Sequence, residues 1–493
     1  MLGGASTAAA SSILVLGREG HAVAREDPFV PADVVTPAPS ADVVRARATS
    51  QPARAAASAR ATVTSAASTV TIGTTLKRLY KTGQIGLAEY KADTGGLDAA
   101  IRTAARLRGT RAIELYSVLT NLHDMAVAGE MTPSRLPPLF LTLNHNRQWW
   151  STGPLLSPDQ RVQFAGSQLV WEYYPGQGIE LQQLASFGEA DGFYTGGPAD
   201  YPKLRQLMSE LIPLAVNRAG GLAWEYYFNF DGGRPPWVSA MAQGTALEAL
   251  TRSSLALDDP SYLAIAARAL PLFSAGPPVG VSTATPLGSR YLQYSFAPGA
   301  TIINAFLQTL IGLYDYAHAS GNAVAQQLFN AGNAEALAEV PHYNTGAWSL
   351  YQPGQEDTLG YHELVTGFLQ QLCSRTGESV YCTTAQDFQQ DLTTPPALRL
   401  NTHYTRVGIP THIHFTLSKE SRVGIVVTLG GATVFLTSAE VGYGSDEFAI
   451  PTLRKAGTYA VRLAATDLAG NFSRIIGTLS AEPAGKPRAK PPS

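Results

Sequence analysis

Three segments of the chain centre on tyrosine and surround it with side chains that form hydrogen bonds. They are residues 290–294, residues 343–351 and residues 360–362, with Asn304 following the first. A tyrosine hydroxyl has an ordinary pKa of about 10, and a neighbouring cation or hydrogen-bond donor that lowers it would let the group act as a base and as an acid. The segments therefore indicate proton-transfer chemistry.

Aromatic side chains crowd the long loops between the helices that the sequence predicts. They are Trp171, Tyr173, Tyr174, Trp224, Tyr226, Tyr227, Phe228, Trp237, Tyr291, Tyr294, Trp348 and Tyr351. Sugar rings bury their C–H faces against aromatic planes, so such loops favour an α/α toroid with a carbohydrate-binding cleft. Some of these rings would instead fill the core.

Two other chemistries have candidate residues. Glu172, Glu225 and Asp231 could supply the paired carboxylates of a glycoside hydrolase. His412 and His414 lie two positions apart on a predicted strand, although we predict no metal site there. The chain carries no glycine-rich phosphate loop, and we predict no cofactor.

The nine residues 236–244 read Pro-Trp-Val-Ser-Ala-Met-Ala-Gln-Gly, and Tyr343-Asn-Thr-Gly and Tyr361-His follow at later positions. Together with the first tyrosine segment, these motifs resemble the C-terminal domain of D-glucuronyl C5-epimerases, over roughly residues 170–378. The resemblance implies an α/α toroid and an isomerase that inverts C5 of a uronic acid within a glycosaminoglycan-like polymer. It also implies that Tyr294, Tyr351 and Tyr361 are the catalytic residues.

We expect the substrate-binding residues to include positions that match the family and cationic or aromatic side chains close to them in sequence. They are Arg290, Asn304, Arg234, Trp237, Gln243, Trp348 and His362. The chain departs from the family at Gln293, where the family has Glu, and at residues 352–355, where Gln-Pro-Gly-Gln replaces Asp-Leu-Arg-His. The arginine lost there would neutralise the substrate carboxylate, and Arg290, Arg234, Arg147 and His362 are the candidate replacements.

The predicted function is a uronic-acid C5-epimerase that moves the C5 proton of an acidic polysaccharide through tyrosine side chains. One alternative is a polysaccharide lyase, which removes the same proton and then expels the C4 oxygen. Another is a polysaccharide-binding protein of the envelope without catalysis. The 36 Lys and Arg against 38 Asp and Glu argue against nucleic acid as a partner, and a homodimer is compatible with the sequence.

The sequence predicts a multidomain α + β chain in which an incomplete α/α barrel precedes an immunoglobulin-like β-sandwich. Period-two alternation, as in Ile413-His-Phe415-Thr-Leu417, predicts the sandwich, and residues 456–461 resemble its tyrosine corner. The expected order is a signal-like or Ala-rich N-terminus (1–28), a disordered linker (29–70), a helical leader (71–128), the toroid (129–393), the sandwich (394–481) and a disordered tail (482–493).

Cys373 and Cys382 are the two cysteines, separated by nine positions with a Thr-Gly turn between them. This spacing predicts one local disulfide, which favours an oxidising compartment. We therefore expect a secreted or cell-envelope protein. No apolar run approaches the roughly 20 residues that cross a bilayer, so we predict no integral membrane segment.

Overall fold

The computed structural model describes residues 10–31 and 70–483. The start of the signal-like N-terminus, most of the predicted linker and nearly all of the predicted tail lie outside these residues. The chain divides into two compact units, Met1–Ala336 and Leu337–Ser493. This division falls inside the predicted toroid domain, and the predicted domain boundaries stay a prediction.

A five-stranded sheet lies in the first unit, in the order β2-β1-β3-β4-β5. Its strands are Ala10–Leu16 (β1), Ala22–Pro31 (β2), Arg161–Phe164 (β3), Trp171–Tyr174 (β4) and Gly178–Leu181 (β5). The pair β1–β3 is parallel, and the other neighbours are antiparallel.

The sequence analysis predicted no strands in this part of the chain. In the structure, β1 and β2 occupy the expected N-terminal segment and the first residues of the predicted linker, and β4 begins at Trp171, where a loop was predicted. The strands β3, β4 and β5 have only four residues each, which is too short for a period-two pattern to stand out.

Helices and two short hairpins also belong to the first unit. The helices are Ile72–Lys81 (α1), Leu87–Arg106 (α2), Gly109–Val127 (α3), Leu136–Thr152 (α4), Gln183–Gly196 (α5), Tyr201–Leu211 (α6), Ala240–Leu257 (α7), Ser261–Ala269 (α8), Ile303–Ser320 (α9) and Ala323–Glu339 (α10), which crosses the unit boundary. Short hairpins join Val216–Arg218 (β6) to Gly221–Ala223 (β7) and Ser282–Ala284 (β8) to Ser289–Tyr291 (β9).

Helices α3 and α4 satisfy backbone groups of the sheet. The Asn146 amide donates to the Ile179 carbonyl at 2.6 Å and accepts from the Ile179 N–H at 2.8 Å, so it pairs with the edge strand β5. The Glu114 carboxylate accepts the N–H groups of Gly176 and Gly178 at 2.9 and 3.1 Å, and the Tyr173 hydroxyl at 2.9 Å. Both buried side chains hold the β4–β5 hairpin in place.

Helices α7 and α9 form the centre of the helical part, and glycines let them approach each other. A Cβ at Gly244 would lie 2.6 Å from the Thr309 Cα, and a Cβ at Gly312 would overlap the Gly244 carbonyl. The Ser239 side chain caps α7 by accepting the Ala242 N–H. Left-handed Gly321 ends α9.

The second unit opens with the hairpin Leu350–Gln352 (β10) and Gln355–Glu356 (β11), followed by helices Leu359–Thr376 (α11) and Ser379–Asp391 (α12). Gly377 ends α11 in the left-handed conformation, so the chain reverses at once into α12. The disulfide between Cys373 and Cys382 closes this turn with a Cα–Cα distance of 4.8 Å, which confirms the predicted pairing.

Two sheets follow and enclose a common hydrophobic core. Their strands are Leu398–Leu400 (β12), Tyr404–Arg406 (β13), Thr411–Leu417 (β14), Ser421–Leu429 (β15), Ala432–Val441 (β16), Gly444–Ile450 (β17), Gly457–Asp467 (β18) and Phe472–Glu482 (β19), ordered β12-β14-β17 and β13-β19-β18-β15-β16. Inward residues such as Phe415 and Val461 alternate with exposed neighbours. An α-rich region followed by a β-rich region confirms the α + β class.

Within residues 10–31 and 70–483, no helix combines the length and the apolar composition that crossing a membrane requires.

Gly312→Ala should destabilise the protein strongly, because the new methyl group overlaps a backbone carbonyl of α7 that cannot move without shifting the helix. We expect the free energy of unfolding to fall by about 3 kcal/mol or more, measured by urea denaturation.

Gly95→Ala is the matched control, because a Cβ at this position in α2 meets no atom within 4 Å. Alanine should raise the free energy of unfolding there by about 0.5–1 kcal/mol through helix propensity. Equal effects of the two substitutions would contradict the close packing of α7 on α9.

Candidate functional site

Aromatic rings from three segments of the first unit enclose a narrow cavity. The Tyr226 and Trp237 rings are stacked with centroids 4.2 Å apart, and the Tyr294 ring meets Trp237 edge-on at 5.7 Å. The cavity has a volume of about 20 Å³, room for about one water molecule. Its lining is Tyr174, Gln182, Leu184, Tyr226, Phe228, Phe230, Trp237, Ser239, Gln293 and Tyr294. The aromatic walls must therefore separate before a sugar ring can enter.

Backbone hydrogen bonds place Trp237 and Tyr294 beside each other. The Tyr226 N–H donates to the Trp237 carbonyl at 2.8 Å, and the Trp237 indole donates to the Phe228 carbonyl at 2.9 Å. The Ser295 N–H, next to Tyr294, donates to the Val238 carbonyl at 2.9 Å. Trp237 and Tyr294, which the sequence predicted separately, are thus brought together just before α7 begins.

The sheet turns a buried polar face toward this cavity. Polar side chains alternate with apolar ones along β3, β4 and β5 and the residues at their ends. These polar side chains are Arg161, Gln163, Glu172, Tyr174, Glu180 and Gln182. The Gln182 amide donates to the Tyr174 hydroxyl at 2.7 Å and accepts from the Tyr226 hydroxyl at 2.9 Å. Of these residues the sequence analysis named Glu172 and Tyr174, for other roles. The runs Arg-Val-Gln, Glu-Tyr-Tyr and Glu-Leu-Gln alternate, but each is too short to have indicated a strand from the sequence alone.

Two buried carboxyl groups lie on this face beside one guanidinium. Glu172 pairs with Arg161 on one side and Glu180 on the other in the strand register, and its carboxylate lies 3.7 Å from the Arg161 guanidinium. Burial raises the pKa of Glu172 to about 7, against the lowering effect of Arg161. Burial raises the pKa of Glu180 well above its ordinary value. Burial therefore favours the protonated form of both carboxyl groups.

Glu225, a candidate hydrolase carboxylate, is bound on both oxygens. Arg135 donates to it at 2.7 and 2.9 Å, and Arg218 donates at 2.6 Å. Arg218 also donates to the Pro278 carbonyl at 2.6 Å. This buried cluster ties three segments together, because each charged group replaces the water that the others give up on burial. Asp231 is exposed in a turn.

The other predicted binding residues of the first unit occupy different environments. Arg290 is buried, with its guanidinium 5.2 Å from the centroid of the Phe306 ring, whereas Arg234 is exposed. Gln243 is engaged with the Trp224 backbone at 2.8 and 3.1 Å. Asn304 is fully buried, and its amide atoms have no hydrogen-bond partner among the described residues. Their roles toward a substrate stay predictions.

The second unit brings together the four predicted residues that it contains. The Tyr351 and Tyr361 rings lie with centroids 5.2 Å apart, and Trp348 stacks on His362 at 3.9 Å with an angle of 10° between the planes. Tyr351 lies on β10, and Tyr361 lies in the first turn of α11, where Thr358 caps the helix. All four side chains are buried.

His362 belongs to a buried hydrogen-bond network. Its Nδ1 lies 2.7 Å from the Ser349 Oγ, which donates to the Asp357 carboxylate at 2.6 Å, and its Nε2 lies 2.9 Å from the Phe388 carbonyl. Burial lowers the pKa of His362 to about 4 and raises the pKa of Asp357 to about 7. Neutral His362 can donate from Nε2 to the Phe388 carbonyl and accept the Ser349 backbone N–H at Nδ1, 3.2 Å away, so it joins α11 to α12 and to the residue that precedes β10.

In the described residues, no group of three His, Cys, Asp or Glu side chains is arranged to hold a metal ion. His412 and His414 are exposed on β14, and their Nδ1 atoms lie 2.6 and 3.1 Å from the two oxygens of Glu447.

Part of this chain is similar in sequence to known proteins. The family model described as D-glucuronyl C5-epimerase C-terminus matches residues 219–390. A D-glucuronyl C5-epimerase of Caenorhabditis elegans is 35% identical over 130 residues, which are 24% of this chain and 21% of that protein. An uncharacterized protein of Methanocaldococcus jannaschii is 25% identical over 168 residues, 32% of this chain and 54% of that protein. The chain thus spans about a fifth of the first relative and about half of the second.

A solved structure, a sugar epimerase from a ruminal bacterium, aligns with 43% of this chain and 58% of its own at 14% identity. Its TM-score of 0.31 is too low to establish a shared fold.

Glu172→Gln should make the stability of the protein less dependent on pH. The folded-state pKa of Glu172 exceeds its ordinary value of about 4.3, so the stability tied to its protonated form is complete below about pH 4 and is lost as the pH rises to about 7. A neutral amide loses nothing over this interval. The free energy of unfolding, variant minus wild type, should therefore rise by about 3 kcal/mol between about pH 4.5 and about pH 7.5 in urea denaturation.

Glu19→Gln is the control, because Glu19 is exposed in the turn between β1 and β2. Its difference from wild type should change by less than about 0.5 kcal/mol over the same interval. A Glu172→Gln difference that stays constant with pH would mean that this carboxyl is ionised throughout.

Proposed function

We propose that this chain, which matches the D-glucuronyl C5-epimerase C-terminus family model over residues 219–390, is a uronate C5-epimerase that acts on an acidic polysaccharide. The family match agrees with the resemblance of the tyrosine motifs. The match includes Tyr294, Tyr351 and Tyr361, and this is the observation on which the proposal rests.

The proposed reaction moves one proton off C5 of the uronate and returns another to the opposite face. The C5–H bond lies next to the carboxylate, so its electron pair passes into an enolate when a base takes the proton. Donors in the site must stabilise that charge until an acid protonates C5 again. Tyrosine side chains serve as base and acid in this scheme, the base in its phenolate form and the acid in its hydroxyl form.

Residues around Tyr294 support a carbohydrate substrate. Trp237 and Tyr226 line the cavity with aromatic rings of the kind that stack on sugars once the walls separate, and Gln293 contributes a carbonyl oxygen without a partner among the described residues. Gln293 replaces a family carboxylate. Glu172 and Glu180 lie on the same sheet face as Tyr174, and burial raises the pKa of both carboxyl groups.

The finer architecture belongs to the same proposal. We propose that the helices form an incomplete α/α toroid and that the C-terminal sheets form an immunoglobulin-like sandwich, supported by the hydrogen bond from the Tyr459 hydroxyl to the Lys455 carbonyl at 2.7 Å. The disulfide supports a secreted or cell-envelope location.

Tyr294→Phe should abolish epimerisation with little loss of stability, because it removes only a hydroxyl. The assay incubates a uronan with the full chain in deuterated water and follows deuterium at C5 by NMR. We expect wild type to incorporate deuterium and produce both C5 configurations, and the variant to be slower by at least about 100-fold.

Tyr404→Phe is the matched control, since its ring is exposed on β13, and it should leave the rate unchanged. Ultraviolet absorbance from an unsaturated product would identify a lyase instead. Binding of the uronan without deuterium at C5 would identify a binding protein. A Tyr294→Phe rate equal to wild type would remove Tyr294 from the mechanism.

A further inference from the structure

Lys419 is a buried cation that reaches from the turn between β14 and β15 to the helical part of the second unit. Its residue is 1% exposed. The ammonium lies 2.7 Å from the Asp467 carboxylate, donates to the Asp391 carbonyl at 2.7 Å, and lies 5.1 Å from the centroid of the Trp348 ring. Burial of an ammonium costs several kcal/mol unless partners replace its water, and these three groups do so.

Other contacts attach the sheets to the same helical part. The Glu356 carboxylate on β11 accepts the N–H groups of Glu420 and Tyr443 at 3.0 and 3.3 Å. The Asn471 amide donates to the Leu392 carbonyl at 3.0 Å and to the Asp467 carboxylate at 3.0 Å. Directional bonds at separate points fix one arrangement of the sheets against β11 and the end of α12.

Trp348 connects Lys419 to the tyrosine-bearing segments. Its indole N–H donates to the Asp357 carbonyl at 2.9 Å, and its ring stacks on His362. Asp357 and His362 both bond to Ser349. Tyr351 follows Ser349 by two residues on β10, and Tyr361 directly precedes His362 on α11.

We propose that the C-terminal sheets are a positioning element for Tyr351 and Tyr361, and that Lys419 transmits this effect through Trp348 and the Ser349–Asp357–His362 network. The inference rests on the proposed function, in which these two tyrosines act on the substrate. Lys419 itself touches no substrate. It holds the backbone from which both rings project, and small displacements of reacting groups lower turnover strongly.

The test compares Lys419→Met in the full chain with wild type. Methionine keeps much of the side-chain length and removes the charge. We expect kcat for deuterium exchange at C5 to fall by about 10-fold or more while KM changes by less than about 2-fold, because Lys419 orients catalytic groups and does not bind the sugar. Lys455→Met, at an exposed lysine in the loop between β17 and β18, should leave both constants unchanged.

A second variant separates positioning from stability. Lys419→Met combined with Asp467→Leu replaces both charges with apolar side chains and should recover much of the lost stability, because no buried charge remains unpaired. Turnover should stay low in this double variant. Recovery of kcat together with stability would show that Lys419 has only a structural role and would overturn the proposal.

Backbone amide hydrogen exchange gives a readout that does not need activity. Amides of residues 349–362 should exchange faster by about 10-fold or more in Lys419→Met than in wild type. If wild type shows no exchange at C5 while Lys419→Met still loosens this segment, the epimerase function fails and the positioning link stands. If wild type is active and Lys419→Met changes neither the amides nor kcat, the positioning link fails.

Discussion

The cost of burying charged and polar side chains is the constraint on which this structure depends. A buried carboxylate or ammonium gives up its hydration, so it is stable only where groups from other segments replace the water. Glu225 meets this requirement with Arg135 and Arg218, and Lys419 meets it with Asp467 and the Asp391 carbonyl. Each of these partnerships joins segments that are distant in sequence and excludes other arrangements of them.

The same constraint shapes the candidate site. The sheet buries a row of polar side chains, where an ordinary core would place apolar ones, and Gln182 links that row to Tyr174 and Tyr226 at the cavity wall. Glu172 and Glu180 lie in this row with the Arg161 guanidinium. Burial raises the pKa of both carboxyl groups, which favours their protonated forms. In the second unit, neutral His362 completes a network around Ser349. The first arrangement holds the Tyr174 and Tyr226 hydroxyls, and the second joins the start of α11 to α12.

Local patterns were sufficient for some elements and insufficient for others. The alternation around Ile413 and Phe415 predicted a β-sandwich, and the Thr-Gly turn predicted the disulfide of Cys373, because each depends on residues close in sequence. The strands β3, β4 and β5 were not predicted. Each is four residues long, and β1, which pairs with β3, lies about 150 positions earlier, so no local pattern contains the sheet.

Reading the residues alone was enough to predict the α + β composition, the cysteine pairing and the family motifs that contain Tyr294, Tyr351 and Tyr361. These follow from periodicity, short spacing and residue identity. Tertiary structure alone decided that Glu172 faces Glu180, that Trp237 packs against Tyr294, and that Lys419 lies on Trp348. Such contacts depend on which distant segments the chain brings together. The free energy of the whole fold decides this arrangement, and no single segment contains enough information to predict it.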